Sequence, residues 1–355
     1  MSKVILPGLI DPHVHLRDPG QTDKEDFYTG AMAALAGGFT TIIDMPNNLK
    51  LIDSEKLLNE KIKAARKKIV CDVGFHFGSL GNNLSELKKV QSKVIGLKLY
   101  LSQTTGGFIH PKEKIERTFR AWGRKKIILV HAEDEMFDFV IKLMAKTGNK
   151  VHVCHVGKKE ELKKIIKAKE TGLKISCGVT PHYLFLTQDD VRSLGAFGKM
   201  KPALGSKKDQ EFIWKNLKYI DLIESDHAPH TIEEKKSENP PFGVPGLETT
   251  LPLLLTAVND NRLNLNDIVR LCYEGPRTVF DLKAYPLNKV EIELHKSYFI
   301  DNKSLFTKCG WSPFNGVKVK GKVERVFLRG EKVFENGKIL ANPGSGHILL
   351  VYPTS

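Results

Sequence analysis

Residues 8–16 read Gly-Leu-Ile-Asp-Pro-His-Val-His-Leu. The run is short and mostly apolar, and a helical pattern follows it at 24–36, closed by Gly37-Gly38 as a C-terminal stop. Strand followed by helix is the repeating unit of the chain. Runs rich in Val, Ile and Leu recur at 40–45, 69–77, 94–101, 127–131, 151–156, 173–179 and 220–225, with helical stretches such as 160–169 between them. Strands that alternate with helices build parallel sheets, because a parallel pair needs a crossover connection. Eight such units predict an α/β fold, a (β/α)8 TIM-type barrel whose active site lies at the C-terminal ends of the strands.

Beyond the eighth strand come a Pro/Gly-rich loop at 239–246, an apolar helix at 247–258 and a further helical stretch at 265–273. From Val290 the pattern changes to short strands, including 317–328 and a hairpin turning at Asn336-Gly337. The expected division is a barrel over 1–285 and a small C-terminal β appendage over 286–355 with no chemistry of its own.

Composition narrows the class. The chain has 355 residues, 41% of them hydrophobic, and at that length folding buries roughly three quarters of the unfolded surface, enough for a large core without staples. Met1 to Leu6 runs straight into Pro7-Gly8, so export is not expected, and no apolar run approaches the ~20 residues of a membrane span. Cys71, Cys154, Cys177, Cys272 and Cys309 show no paired spacing. A reducing cytoplasm is the expectation. The net charge of +14 comes mostly from Lys interleaved with Glu on helices, as at Lys163 and Lys164. That pattern reads as solvated helix faces rather than a nucleic-acid surface, while still favouring an anionic small substrate.

His13 and His15, two apart on a strand, point to the same side, and Arg17 shares their parity if the strand persists. A His-x-His pair alone is equally compatible with a structural role. The stronger signal is placement: His131 ends the fifth strand, His155 the sixth, and Asp226 closes the eighth within Ser225-Asp226-His227-Ala228-Pro229-His230. A barrel brings these ends to one rim, and imidazoles with a carboxylate suit zinc or a similar divalent ion. Lys98, inside Gly96-Leu97-Lys98-Leu99-Tyr100-Leu101, is costly to bury unpaired. It reads either as a snorkelling lysine or, facing a metal cluster, as an amine that takes up carbon dioxide to give a bridging carbamate.

These stretches, together with Met45-Pro46-Asn47-Asn48, Val130-His131-Ala132-Glu133, Cys154-His155-Val156 and Pro245-Gly246-Leu247-Glu248-Thr249, resemble the dihydroorotases of the amidohydrolase superfamily, over residues 4 to about 340. The resemblance is especially close to the dihydroorotase domain of the multifunctional animal pyrimidine enzyme. It implies reversible closure of N-carbamoyl-L-aspartate to L-dihydroorotate with loss of water. It further implies His13, His15 and Asp226 on one divalent metal, His131 and His155 on a second, and carbamylated Lys98 bridging both. Asp226 would act as general acid and base, and Arg17, Asn47 and His230 would hold the substrate carboxylates. Thr104, in the loop 102–107, aligns with a lid threonine that touches the reacting group, although an ordinary βα loop fits the same residues. Phe242 and Gly246, bounding the end of the 241–246 loop, would offer groups to the pyrimidine ring.

The sequence departs from close relatives at two places. Lys201, which the resemblance implies as a further substrate-binding residue, stands where they carry Arg, and Gly178 replaces an acidic residue, which argues against a further metal site beside Cys154. His152 and His182 read as structural. The family commonly forms homodimers, and aspartate carbamoyltransferase is a candidate partner. Two rivals share the fold: a related cyclic amidohydrolase (allantoinase or dihydropyrimidinase), and an inactive dihydroorotase-like subunit that scaffolds aspartate carbamoyltransferase. Arg17 and Asn47 argue against the first, the full ligand set against the second.

Overall fold

The computed structural model describes residues 3–349. Eight parallel strands follow in order around the barrel: β2 (Leu9–Val14), β3 (Phe39–Asp44), β4 (Asp72–Gly78), β5 (Gly96–Tyr100), β6 (Ile128–His131), β7 (Val151–Val153), β8 (Ile175–Val179) and β9 (Leu222–Ile223). The seam between the last and first strands is closed by a bridge of Val14 with His227 and by the Asp11 carboxylate, which accepts the Ser225 N–H at 3.2 Å. The barrel expectation is met.

Two differences from the sequence reading have local causes. The first helix is Phe27–Ala36 rather than 24–36, because Asp26 takes the N–H groups of Tyr28 and Thr29 while Thr29 Oγ1 accepts the Asp26 N–H, a capping box. The eighth strand shrinks from 220–225 to Leu222–Ile223, since the Ser225 N–H is taken by a side chain instead of the ladder. The Gly38 stop sits at φ +84, in the left-handed region.

Alternation along each strand sorts the side chains. In β5, Leu97 and Leu99 pack outward among the helices, leaving Lys98 and Tyr100 on the inner side. Likewise Val14 and Leu16 join the outer core, so His13 and His15 face inward. Ile43, Ile95, Ile127, Leu129, Leu222 and Phe280 form a separate apolar cluster inside the barrel.

The second sheet is antiparallel, ordered β1 (Lys3–Pro7), β10 (Lys289–Phe299), β11 (Lys318–Leu328), β12 (Glu331–Glu335) and β13 (Lys338–Ile339), with Asn336-Gly337 turning the last hairpin. Its first strand therefore comes from the N-terminus, pairing with β10 from Lys3↔Glu293 to Pro7↔Lys289. The stretch between β10 and β11 returns to the barrel, where Trp311 Nε1 donates to the His230 carbonyl at 2.7 Å. Among the described residues, no helix is long and apolar enough to cross a membrane.

Candidate active site

The floor of the site is a cluster of buried imidazoles around one carboxylate. Ring centroids of His13 lie 5.3 Å from both His15 and His155, and those of His131 and His155 are 4.8 Å apart. Asp226 Oδ1 stands 3.0 Å from His15 Nε2 and 3.3 Å from His13 Nε2. Ligand atoms of His13, His155 and Asp226 all fall within 4.8 Å of one another. Lys98, buried, places its ammonium 3.1 Å from Cys154 Sγ.

This donor set fits a metal centre. His131 Nε2 and His155 Nδ1 are buried without a hydrogen-bond partner, although the Glu133 carboxylate lies 3.5 Å from the former, and buried orphans of this kind are rare in a finished core. The electrostatics agree. Burial and the charge of Lys98 oppose protonation of His13, yet Asp226 and Glu224 carry it up to about 10. Burial holds His15 down at about 3, against the pull of Asp226. Burial likewise lowers His155 strongly and His131 less, with neighbouring positive charge adding to the effect at both. Asp226 is held far below the carboxylate range by His13, His15 and His155 in spite of its own burial. The centre thus sets the Asp226 anion among three imidazoles that resist protons, His15, His131 and His155, the state in which they ligate metal, while His13, between Asp226 and Glu224, holds its proton more tightly.

Three of these groups occupy strained backbone. Arg17, His155 and Asp226 have φ of 62°, 43° and 46°, a left-handed conformation that costs a non-glycine residue on the order of 1 kcal/mol or more. Each lies just past the end of its strand, where that turn redirects the side chain over the barrel mouth.

Above the floor lies a cavity of about 280 Å³ whose walls include His15, Arg17, Asn47, Thr104, Lys201, Asp226 and Phe242. Seven of the residues singled out in the sequence are therefore brought to one pocket. Arg17 is 3% exposed, with Nε donating to the Pro229 carbonyl at 3.2 Å and Nη2 3.2 Å from His230 Nε2. His15 lies between two acceptors, with Nδ1 2.6 Å from Asn47 Oδ1 and Nε2 3.0 Å from Asp226 Oδ1, so Asn47 orients the ring that faces Asp226. Lys201 Nζ is 3.7 Å from Glu133.

Two expected contacts lie behind the wall. His230 is not on the cavity lining; it backs Arg17 and reaches Phe242 O and Glu234 at 3.0 and 3.3 Å. Gly246 donates its N–H to His227 Nδ1 at 3.1 Å and lines a separate cavity of about 170 Å³ with Glu248, Thr307 and Trp311.

The sequence reading missed several residues. Thr105 Oγ1 donates to the Phe242 carbonyl at 2.7 Å, latching the 102–107 loop across the cavity. The Tyr100 hydroxyl is buried and unpartnered, and its acidity is suppressed by burial and then by Cys154 and Asp226. Glu224, one residue past β9, accepts from His13 Nδ1 at 2.9 Å. His152, read as structural, is fully buried with Nε2 3.7 Å from that same Glu224.

Comparison with known proteins places this geometry. Residues 4–177 match the Amidohydrolase family. Over 98% of its length the chain is 36% identical to the dihydroorotase of Pyrococcus horikoshii, of which it covers 85%. The chain belongs to the dihydroorotase family. It is also 41% identical, over 98% of its length, to Multifunctional protein CAD of Squalus acanthias, and it spans about 16% of that much longer relative. Among solved structures, the L-hydantoinase (dihydropyrimidinase) from Arthrobacter aurescens superposes with a TM-score of 0.93 at 26% identity, covering 98% of this chain and 89% of that one. The inactive dihydroorotase-like domain of the Chaetomium thermophilum CAD-like multifunctional protein superposes at 0.85 with 25% identity, covering 98% and 100%. Dihydroorotases are amidohydrolases, a metal-dependent group, and among the described residues two groups could hold a metal ion: His13 with His155 and Asp226, and His13 with Cys154 and Glu224.

Proposed function

We propose that this chain is a dihydroorotase, interconverting N-carbamoyl-L-aspartate and L-dihydroorotate in pyrimidine synthesis. The observation that carries the reading is the juxtaposition of a buried guanidinium, Arg17, with the imidazole–carboxylate cluster in one small cavity. Dihydroorotate presents a cyclic amide and, beside it, a carboxylate that a hydantoin or dihydrouracil lacks. A guanidinium binds a carboxylate through paired hydrogen bonds, and Asn47 and Lys201 share its wall. His230, behind Arg17, fixes the fork rather than meeting the ligand.

His13, His15 and Asp226 would hold one divalent ion, His131 and His155 a second, with Lys98 bridging as its carbamate; zinc is the metal these donors suit best. When bound, the ions supply activation of water at neutral pH and polarisation of the amide carbonyl. The protein does the rest. Asp226, already the stable anion at the centre, takes the proton of the attacking water and returns it to the departing ring nitrogen; in ring closure the same carboxylate works in reverse. Thr104 faces the reacting group, and the Thr105 latch on Phe242 keeps bulk water out.

In this reading every assigned group lies within 1–285, and 286–355 braces the barrel. It extends to a homodimer in the cytoplasm and to docking with aspartate carbamoyltransferase, for which the multifunctional relative is the support. The likeness to an inactive domain favours a scaffold as second reading. The two part on chelation: a dihydroorotase loses ring-opening activity when its metal is stripped and regains it on zinc addition, whereas a scaffold has no activity to lose.

A further inference from the structure

Glu224 lies wholly buried one residue beyond the end of β9. Its Oε2 accepts from His13 Nδ1 at 2.9 Å, and its Oε1 accepts the main-chain N–H of His155, the residue held at φ 43°. Space for this carboxylate exists only because residue 178 is glycine: a Cβ there would stand 2.3 Å from Glu224 Oε1. One carboxylate from β9 thus ties together a histidine of β2 and the histidine that follows β7.

We infer that Glu224 is a positioning residue of the metal centre, a role that rests on the metal-dependent reading above. By accepting the hydrogen bond from His13 Nδ1 it keeps the ring proton there and leaves the Nε2 lone pair facing Asp226, where a ligand is needed. By holding the His155 N–H it fixes the strained turn that aims that ring at His131, 3.1 Å away. A carboxylate behind a ligating histidine fixes its tautomer and basicity, and losing it weakens metal binding by roughly 10–100-fold. Gln at this position cannot do both tasks. If its oxygen serves the His155 N–H, its amide hydrogens face His13 Nδ1 and drive the proton onto Nε2.

The test is the zinc dissociation constant of the purified full chain, by competition with a chromophoric chelator, together with zinc stoichiometry at saturation and the Tm of the metal-free protein. For Glu224→Gln the expected result is dissociation roughly 10–100-fold weaker, the same number of zinc ions at saturation, and a metal-free Tm close to wild type. Gly178→Ala, which displaces the carboxylate without removing its charge, should weaken zinc in the same direction and serves if Glu224→Gln does not fold. Unchanged zinc affinity in a folded variant overturns the role of Glu224 alone. Loss of one whole zinc equivalent overturns it too, because Glu224 would then be a ligand. A wild-type chain that holds no zinc overturns the metal-centre reading and this inference with it.

Discussion

Lys61→Met tests how the barrel holds its substrate-facing loop. Lys61 is 1% exposed, and its ammonium sits 2.7 Å from each of Asp44 Oδ2, the Met45 carbonyl and Asn48 Oδ1. The last two flank Asn47, and Asp44 Oδ1 in turn accepts the Leu16 N–H at 2.9 Å, beside Arg17. Met fills a similar volume without the charge. Asp44, already raised by burial despite Lys61, would then be a buried anion with Arg17 as a more distant compensation. Breaking one side of a buried pair costs about 3–5 kcal/mol; with Arg17 present we expect the lower end, about 3–4 kcal/mol. At ~2.1 cal/mol/K per residue, the unfolding entropy of a chain this long is about 0.75 kcal/mol per degree, so Tm should fall by about 4–5 °C. Scanning calorimetry reads this directly. The double variant Lys61→Met/Asp44→Asn removes the stranded charge and should recover at least half of the loss. A fall of under about 1 °C, or a double variant no better than the single one, would refute the assignment of the pair as the loop's anchor.

Other perturbations probe separate parts of the site. If Lys98 bridges two metals as its carbamate, as proposed, Lys98→Ala should abolish activity and lower metal content by elemental analysis, and normal turnover would refute that role. Arg17→Lys keeps the charge but loses the paired geometry, a loss of about 2 kcal/mol that raises KM roughly thirty-fold with a smaller change in kcat; equal losses in both would point to a different role. Thr105→Val unlatches the loop from Phe242 and should raise KM by up to about tenfold, the worth of one net hydrogen bond. Lys235 donates to the carbonyls of Lys199, Pro241 and Gly243, and burial, with Lys199 adding, lowers it to about 8. Between about pH 8 and pH 10.5 the unfolded chain keeps a proton that the folded protein has released, so stability from this site rises with pH there. The Tm gap between wild type and Lys235→Met should widen from about pH 7.5 to about pH 9.5, and a gap that narrows would contradict the buried placement.

What the sequence made legible was whatever periodicity carries. Strand parity put His13 and His15 on one side, and barrel geometry brought His131, His155 and Asp226 to them. Links made by single side chains across the fold leave no such trace. Glu224 meets His13 across 211 positions and Thr105 meets Phe242 across 137, with nothing in either neighbourhood to mark the pairing. The same holds for β1, whose partner strand lies at the other end of the chain, and for Trp311, which props His230 from a stretch that reads as remote from the chemistry. Arg17 is an intermediate case: the strand ends at Val14, so its arrival in the cavity depends on a left-handed turn rather than on parity.

In the proposed reading the Arg17 wall and the imidazole–carboxylate floor act together on a carboxylated cyclic amide. The direct measurement is ultraviolet-monitored ring opening of L-dihydroorotate by the purified protein, with metal content determined on the same sample and allantoin and dihydrouracil run alongside. Chelator-sensitive opening of dihydroorotate, without turnover of the other two, is the result expected. A fully metal-loaded sample that leaves dihydroorotate intact, or one that opens dihydrouracil equally well, would contradict it.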